Sequence, residues 1–71
     1  MTPTIGRQVH YLVEDPTDHE LSCILPATVV NVHNATRVDL YVIDRFEDTA
    51  YFVNSVVQGT SNCTWNWPKQ Q

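Results

Sequence analysis

The apolar residues of this sequence are mostly β-branched or aromatic, and they alternate with polar residues. In one run, Val38, Leu40 and Val42 alternate with Asp39 and Tyr41. Successive side chains of a strand point to opposite faces of its sheet, so a period of two predicts a strand with one buried face. Branched and aromatic side chains also fit a pleated surface better than a helix. The pattern therefore predicts an all-β fold.

Five runs of this kind predict five strands. The predicted strands cover residues 7–13, 23–33, 37–43, 49–57 and 63–67. In the first strand Val9, Tyr11 and Val13 share a face, and in the second Pro26 indicates an edge position or a bulge. Short strands at even spacing are typical of a small five-stranded SH3-like barrel or a strongly bent antiparallel sheet. We expect one domain over residues 1–71.

The length limits how stable such a domain is by itself. A chain of 71 residues buries only ~60% of its unfolded surface. Its core then supplies roughly 3–5 kcal/mol of net stability. Two cysteines, Cys23 and Cys63, allow at most one intrachain bridge, and both precede or begin apolar runs, so we expect small buried thiols. Self-association is the remaining source of stability, so we expect a homo-oligomer.

The charge and hydropathy of the chain limit the classes of partner that we expect and the compartment in which we expect the protein. The net charge is −4, with eight acidic and four basic residues, and the basic residues are scattered. This distribution argues against a duplex nucleic acid, which needs a basic patch. No apolar run is long enough to cross a membrane, and residues 1–7 do not resemble a signal peptide. We expect a cytosolic protein with reduced cysteines.

Catalytic and metal-binding patterns are weak. The sequence has no phosphate-binding glycine loop, nucleophile elbow or His-Glu-x-x-His motif, so we expect no enzyme and no cofactor. His10, His19 and His33 lack the spacing of a ligand set, and lone strand histidines are more often structural or line a polar pocket. Residues 14–20 are expected to form a solvated acidic loop rather than a cation site.

The two ends of the chain are the most informative segments. Trp65 and Trp67 are two residues apart on the last predicted strand, so they share a face. That face is part of the core, part of a subunit interface or a platform on which a base stacks. Near the other end, Arg7, His10 and Tyr11 supply hydrogen-bond donors and a ring. Here the alternatives are a binding role and a structural one, with Tyr11 in the core and Arg7 solvated.

The same two ends carry a resemblance. The segments Gly-Arg-Gln-Val-His-Tyr at residues 6–11 and Trp-Asn-Trp-Pro at residues 65–68 resemble those of a widespread, largely uncharacterised group of short phage and prophage proteins. Members of that group begin with Gly-Arg-x-Val-His-Tyr and end with Trp-x-Trp-Pro. Many carry His at the position of Asn66, and many have an insertion near residues 14–21. The resemblance implies a phage-encoded protein that acts in the cytoplasm of the infected bacterial host.

These observations lead to one hypothesis and one alternative. The hypothesis is a phage accessory protein that binds a small nucleotide-type ligand at subunit interfaces and sequesters a host immune signal, a design known among small oligomeric phage proteins. Trp65, Trp67 and Tyr11 would wall the pocket, Arg7 would meet phosphate, and His10 or Asn66 would contact base or ribose. The alternative is a phage structural or adaptor protein that binds another protein through its aromatic face.

Overall fold

The computed structural model describes residues 2–15 and 18–68, and for residues 15 and 18–22 it describes the backbone alone. Five strands and no helix run through these described residues. The strands are β1 (Gln8–Asp15), β2 (Asp18–Val32), β3 (Arg37–Asp44), β4 (Thr49–Val57) and β5 (Thr64–Asn66). The all-β prediction is confirmed, and the predicted bounds of β4 agree with the observed ones.

The strands form one antiparallel sheet in the order β4-β3-β2-β1-β5. Four strands follow one another as a meander, and β5 returns to pair with β1. The sheet curls so strongly that Gln58, just after β4, forms a parallel bridge with Trp65 of β5. The predicted small barrel or strongly bent sheet is therefore the observed architecture.

The concave face of the curled sheet holds the core. Every second residue of β3 is buried, as the alternation of Val38, Leu40 and Val42 predicts. In β1, Val9 and Tyr11 are also buried, and Val13 packs at their edge. The other buried side chains come from β2, β4 and β5, and they include Leu25, Val29, Val56 and Trp65.

Two bulges flank Asp39 of β3 and tighten the curl. On β2, Asn31 pairs with Asp39 while Val29 pairs with Leu40, so one extra residue is accommodated on that strand. On β4, two residues lie opposite Asp39, and one of them, Ser55, has a left-handed φ of 55°. A bulge adds local twist to a sheet, so two bulges at the same level of the sheet promote a strongly curved barrel.

The prediction for residues 14–20 is corrected by the structure. β1 continues to Asp15 and β2 starts at Asp18, so most of the expected acidic loop is a continuation of the β1–β2 hairpin. Glu14 pairs with Ser22 through the backbone, which needs no apolar side chain. Residues 16 and 17 lie outside the described residues.

Pro26 fits within β2 for a reason that the sequence alone predicts only in part. β2 is an inner strand of the sheet, so the edge position is wrong for the strand as a whole. The Val29 N–H donates to the Arg7 carbonyl, so by alternation the nitrogen of Pro26 points away from β1. The pairing of β2 with β3 begins only at Ala27. The missing N–H of Pro26 therefore removes no bond of the sheet.

Candidate functional site

The two ends of the chain lie side by side in the sheet. β1 and β5 are antiparallel neighbours, with Tyr11 opposite Trp65 and His10 opposite Asn66. The predicted site residues therefore belong to one region, but they are divided between the two faces of the sheet. Tyr11 and Trp65 point into the core, while His10 and Asn66 lie on the convex face.

Trp65 is a core residue. Its side chain has no exposed surface, and its indole Nε1–H donates to the Thr36 carbonyl at 2.9 Å. That bond ties β5 to the β2–β3 turn across the barrel. In the isolated chain Trp65 offers no ring face to a ligand, so the core interpretation holds for this tryptophan.

Tyr11 is also in the core, with 6% of its surface exposed. Burial raises the pKa of Tyr11 to about 12, and the nearby Cys63 thiol contributes through its charge and a hydrogen bond. The ring fills the barrel interior, and a ligand has no access to it in the single chain. A contact of Tyr11 with a nucleotide would need a rearranged barrel.

Cys63 departs from its expected burial, whereas Cys23 is buried as expected. Cys63 has a left-handed φ of 66° in the turn before β5, and its N–H donates to the Leu12 carbonyl at 2.7 Å. The turn conformation breaks the strand alternation at this point, so the residue is exposed. Both thiols are free in the structure.

Trp67 and Arg7 form an accessible part of the predicted site. Trp67 is half-buried, and its ring meets that of Trp65 edge to face, with centroids 5.2 Å apart and planes at 86°. The Arg7 guanidinium carbon lies 5.5 Å from the Trp67 ring centroid, within the range of a cation–π contact. The contact brings the planar donor group of Arg7 beside the Trp67 ring.

On the convex face, the Asn66 side chain is hydrogen-bonded within the fold. Its side-chain amide donates to the Gly59 carbonyl at 3.1 Å, and its carbonyl oxygen accepts from the Trp67 N–H at 2.9 Å and from Gln58 at 3.4 Å. These bonds fix β5 to the segment after β4. His10 is half-buried between Pro26 on one side and Asn66 on the other.

His10 and His33, the two histidines whose side chains the structure describes, do not converge on a metal site. His33 Nε2 lies 2.8 Å from an oxygen of Asp39. His10 pairs with Pro26, far along β2 from His33. Among the side chains that the structure describes, those of residues 2–14 and 23–68, no group of three or more His, Cys, Asp or Glu could hold a metal ion. The His19 side chain lies outside the described residues.

The convex face of β3 and β4 carries an apolar surface that no sequence motif predicts. Tyr41 and Phe52 pair across the strands with ring centroids 4.9 Å apart, and Phe52 is 68% exposed. Ile43 is 51% exposed beside Ala50. A shallow groove of about 470 Å³ adjoins them. Its lining residues are Tyr41, Ile43, Asp44, Arg45, Asp48, Thr49 and Ala50.

The alternation itself contained a signal for this surface. Tyr41 has the sequence parity of Asp39, which places both on the solvent face of β3. A large aromatic residue at a solvent-facing position is an exception to the pattern, and together with the exposed Phe52 and Ile43 it forms an apolar patch of the kind that marks a contact surface.

The structure is that of a small, strongly curled β-barrel-like domain. Comparison of the chain with family models, curated proteins and solved structures found no match. No helix among the described residues is long and apolar enough to cross a membrane.

Proposed function

We propose that this protein is a phage accessory protein without catalytic activity, which self-associates and binds a small nucleotide-type anion through Arg7. The contact of the Arg7 guanidinium with the Trp67 ring carries this proposal. The resemblance of both ends to short phage proteins supports the biological setting, the cytoplasm of the infected cell. The proposed role there is sequestration of a host immune signal, by analogy with the design of small oligomeric phage proteins.

The proposed role of Trp67 is to position Arg7. A guanidinium that stacks on an indole ring retains its planar set of N–H donors, and this planar geometry matches two oxygens of a phosphate. The contact also lowers the entropy that Arg7 would lose on binding. Trp65 and Tyr11 are buried, so these two rings are not open for the stacking of a base in the single chain.

Thermal unfolding with candidate signalling nucleotides tests the proposal. A ligand at a hundredfold excess over its Kd should stabilise the wild-type protein by about 2.7 kcal/mol. Arg7→Ala should abolish this shift, and Arg7→Lys should weaken it because an ammonium group lacks the planar pair of donors. Arg37→Ala is the matched control, since Arg37 is exposed on another strand. A full set of nucleotides without any shift would contradict nucleotide binding.

The second candidate is a structural or adaptor protein. The exposed Tyr41–Phe52 pair favours it, because paired aromatic rings on a surface are typical of protein interfaces. Co-purification with virions or with one host polypeptide, together with no effect of nucleotides, would support this alternative.

A further inference from the structure

The edge of β4 lacks the usual protection of a sheet edge. Thr49–Val57 contains no charged residue and no proline, although these are the common means of preventing edge-to-edge pairing. The bulge at Ser55 distorts the second half of the strand. Residues 49–53 remain regular, and they end the sheet on this side.

The backbone groups of this segment point outward at two positions. The Arg37 carbonyl accepts the His33 N–H, so odd residues of β3 direct their backbone groups toward β2 and even residues direct theirs toward β4. Leu40 pairs with Val53 and Val42 with Tyr51. By alternation along β4, Ala50 and Phe52 direct their N–H and C=O groups away from β3.

We infer that this edge binds a second copy of the chain, which extends the sheet by an antiparallel β4–β4 pair with Tyr51 at the two-fold axis. Tyr51 is the centre of the regular segment, and this register places Ala50 of each copy opposite Phe52 of the other. The outward backbone groups of the two residues then form two hydrogen-bonded pairs. The inference specifies the self-association in the proposed function, but it does not require a ligand.

The side chains are complementary in this register. Opposed residues of neighbouring strands lie on the same face, so each Phe52 ring would lie over the small Ala50 of the other copy. Ala50 and its neighbour Ile43 line the shallow groove. The most exposed aromatic side chain of β4 and an apolar groove would thus cover each other twice, as a two-fold interface requires.

Self-complementarity favours a second copy over a strand of an unrelated protein. The large and small members of the contact are both present on one chain, at positions related by the two-fold axis. Neither carries a charge, so the pair brings no like charges together at its centre. A foreign strand would meet the same backbone groups but would need its own side chain for the groove.

Light scattering of the purified full-length chain tests this interface. We expect the wild type to have twice the mass of one chain and Phe52→Lys to have the mass of a single chain, because two lysines would meet near the axis. Ile24→Lys is the matched control, since Ile24 is 49% exposed on the convex face of β2. It should remain a dimer, and circular dichroism should show that both variants are folded.

Amide hydrogen exchange locates the contact at the predicted atoms. In the wild type, the Ala50 and Phe52 amides should both be protected from exchange. The Ala50 amide should exchange at least tenfold faster in Phe52→Lys, in which the dimer is absent. A wild type that is monomeric at high micromolar concentration would overturn the inference, and so would a dimer in which these amides exchange fast. A dimer that binds no nucleotide would contradict only the proposed ligand, and a monomer that binds one would contradict only the interface.

Discussion

At the scale of single residues, the barrel depends on a few side chains that connect distant strands. Trp65 is the largest fully buried side chain, and its indole N–H bonds to Thr36 on the far side of the sheet. Asp39 accepts hydrogen bonds from both neighbouring strands, and Tyr11 fills the interior beside Cys63. Each of these residues gives a prediction of its own.

Trp65→Ala should prevent folding. Removing a buried tryptophan costs about 3–5 kcal/mol, which is as much as the core of a domain of this size supplies. Trp65→Phe should fold but unfold at lower denaturant concentration, because it loses the bond to Thr36, worth about 1 kcal/mol, in addition to packing. Urea unfolding followed by circular dichroism measures both. A Trp65→Phe variant as stable as the wild type would show that the bond contributes nothing.

Tyr11 should make the protein sensitive to alkali. The pKa of Tyr11 is raised from 10.0 to about 12 by burial and by Cys63. As the pH rises above 10, the unfolded chain releases this proton while the folded chain keeps it, so the free energy of unfolding falls until the pH reaches about 12. Tyr11→Phe should reduce that decline.

Melting temperatures measured across the alkaline range test this effect, with Tyr41→Phe as the control for the loss of a hydroxyl group. Tyr51 contributes a smaller decline of the same sign in the free energy of unfolding. Its pKa is also raised, first by burial and then by the charges of Asp44 and Cys63. An unchanged alkaline slope in Tyr11→Phe would contradict the prediction.

At the scale of elements, Asp39 connects three strands at the level of the two bulges. Its carboxylate accepts the Ser55 N–H of β4 at 2.8 Å, and it bonds to Asn31 of β2 at 3.2 Å and to His33 at 2.8 Å. The Ser55 N–H would otherwise lack a ladder partner at the bulge. One acidic side chain thus stabilises the curvature of β2, β3 and β4 together.

This arrangement predicts a loss of stability in acid. The Ser55 N–H, followed by the His33 side chain, holds the pKa of Asp39 below its usual value of 3.8. The stabilisation is complete above that unfolded-state pKa and is lost as the pH falls through the lower folded-state pKa. Asp39→Asn should therefore lower the melting temperature at neutral pH and show a weaker decline in acid.

Melting temperatures from neutral to acidic pH check this prediction. Glu47→Gln removes one exposed charge from the β3–β4 turn and should retain the acid decline of the wild type. Identical acid profiles for Asp39→Asn and the wild type would show that Asp39 does not contribute.

At the scale of the whole molecule, the curled sheet leaves two surfaces available for contacts. One is the end of the barrel where Arg7 contacts Trp67, and the other is the β4 edge with its aromatic pair. They lie at different strands of the sheet, since Trp67 follows β5 and Phe52 belongs to β4. The proposed ligand contact and the proposed dimer contact therefore use different residues.

Self-association should make the thermal stability depend on concentration. When a dimer unfolds to separate chains, mass action raises the melting temperature as the protein concentration increases. We expect this rise for the wild type and for Ile24→Lys, and its absence in Phe52→Lys. Scanning calorimetry at several concentrations measures it, and a concentration-independent wild type would contradict a dimer.

The local sequence pattern determined the class of fold and the burial of most strand residues. Val9, Leu40 and Val42 could be assigned to the core because strand periodicity is a property of neighbouring residues. The ends of the strands were less predictable. The β1–β2 hairpin continues through polar residues because backbone pairing alone sustains it there, and a hydropathy pattern does not report backbone pairing.

Only the tertiary structure decided which predicted site residues remain accessible. Trp65 and Trp67 have the same parity, but curling of the sheet buries one completely and leaves the other at the end of the barrel beside Arg7. The Asn66 side chain is hydrogen-bonded to Gly59 and Gln58, and the turn before β5 leaves Cys63 exposed. These outcomes depend on which strand meets which across the barrel. The sequence pattern fixes the faces of each strand, whereas long-range pairing fixes what covers them.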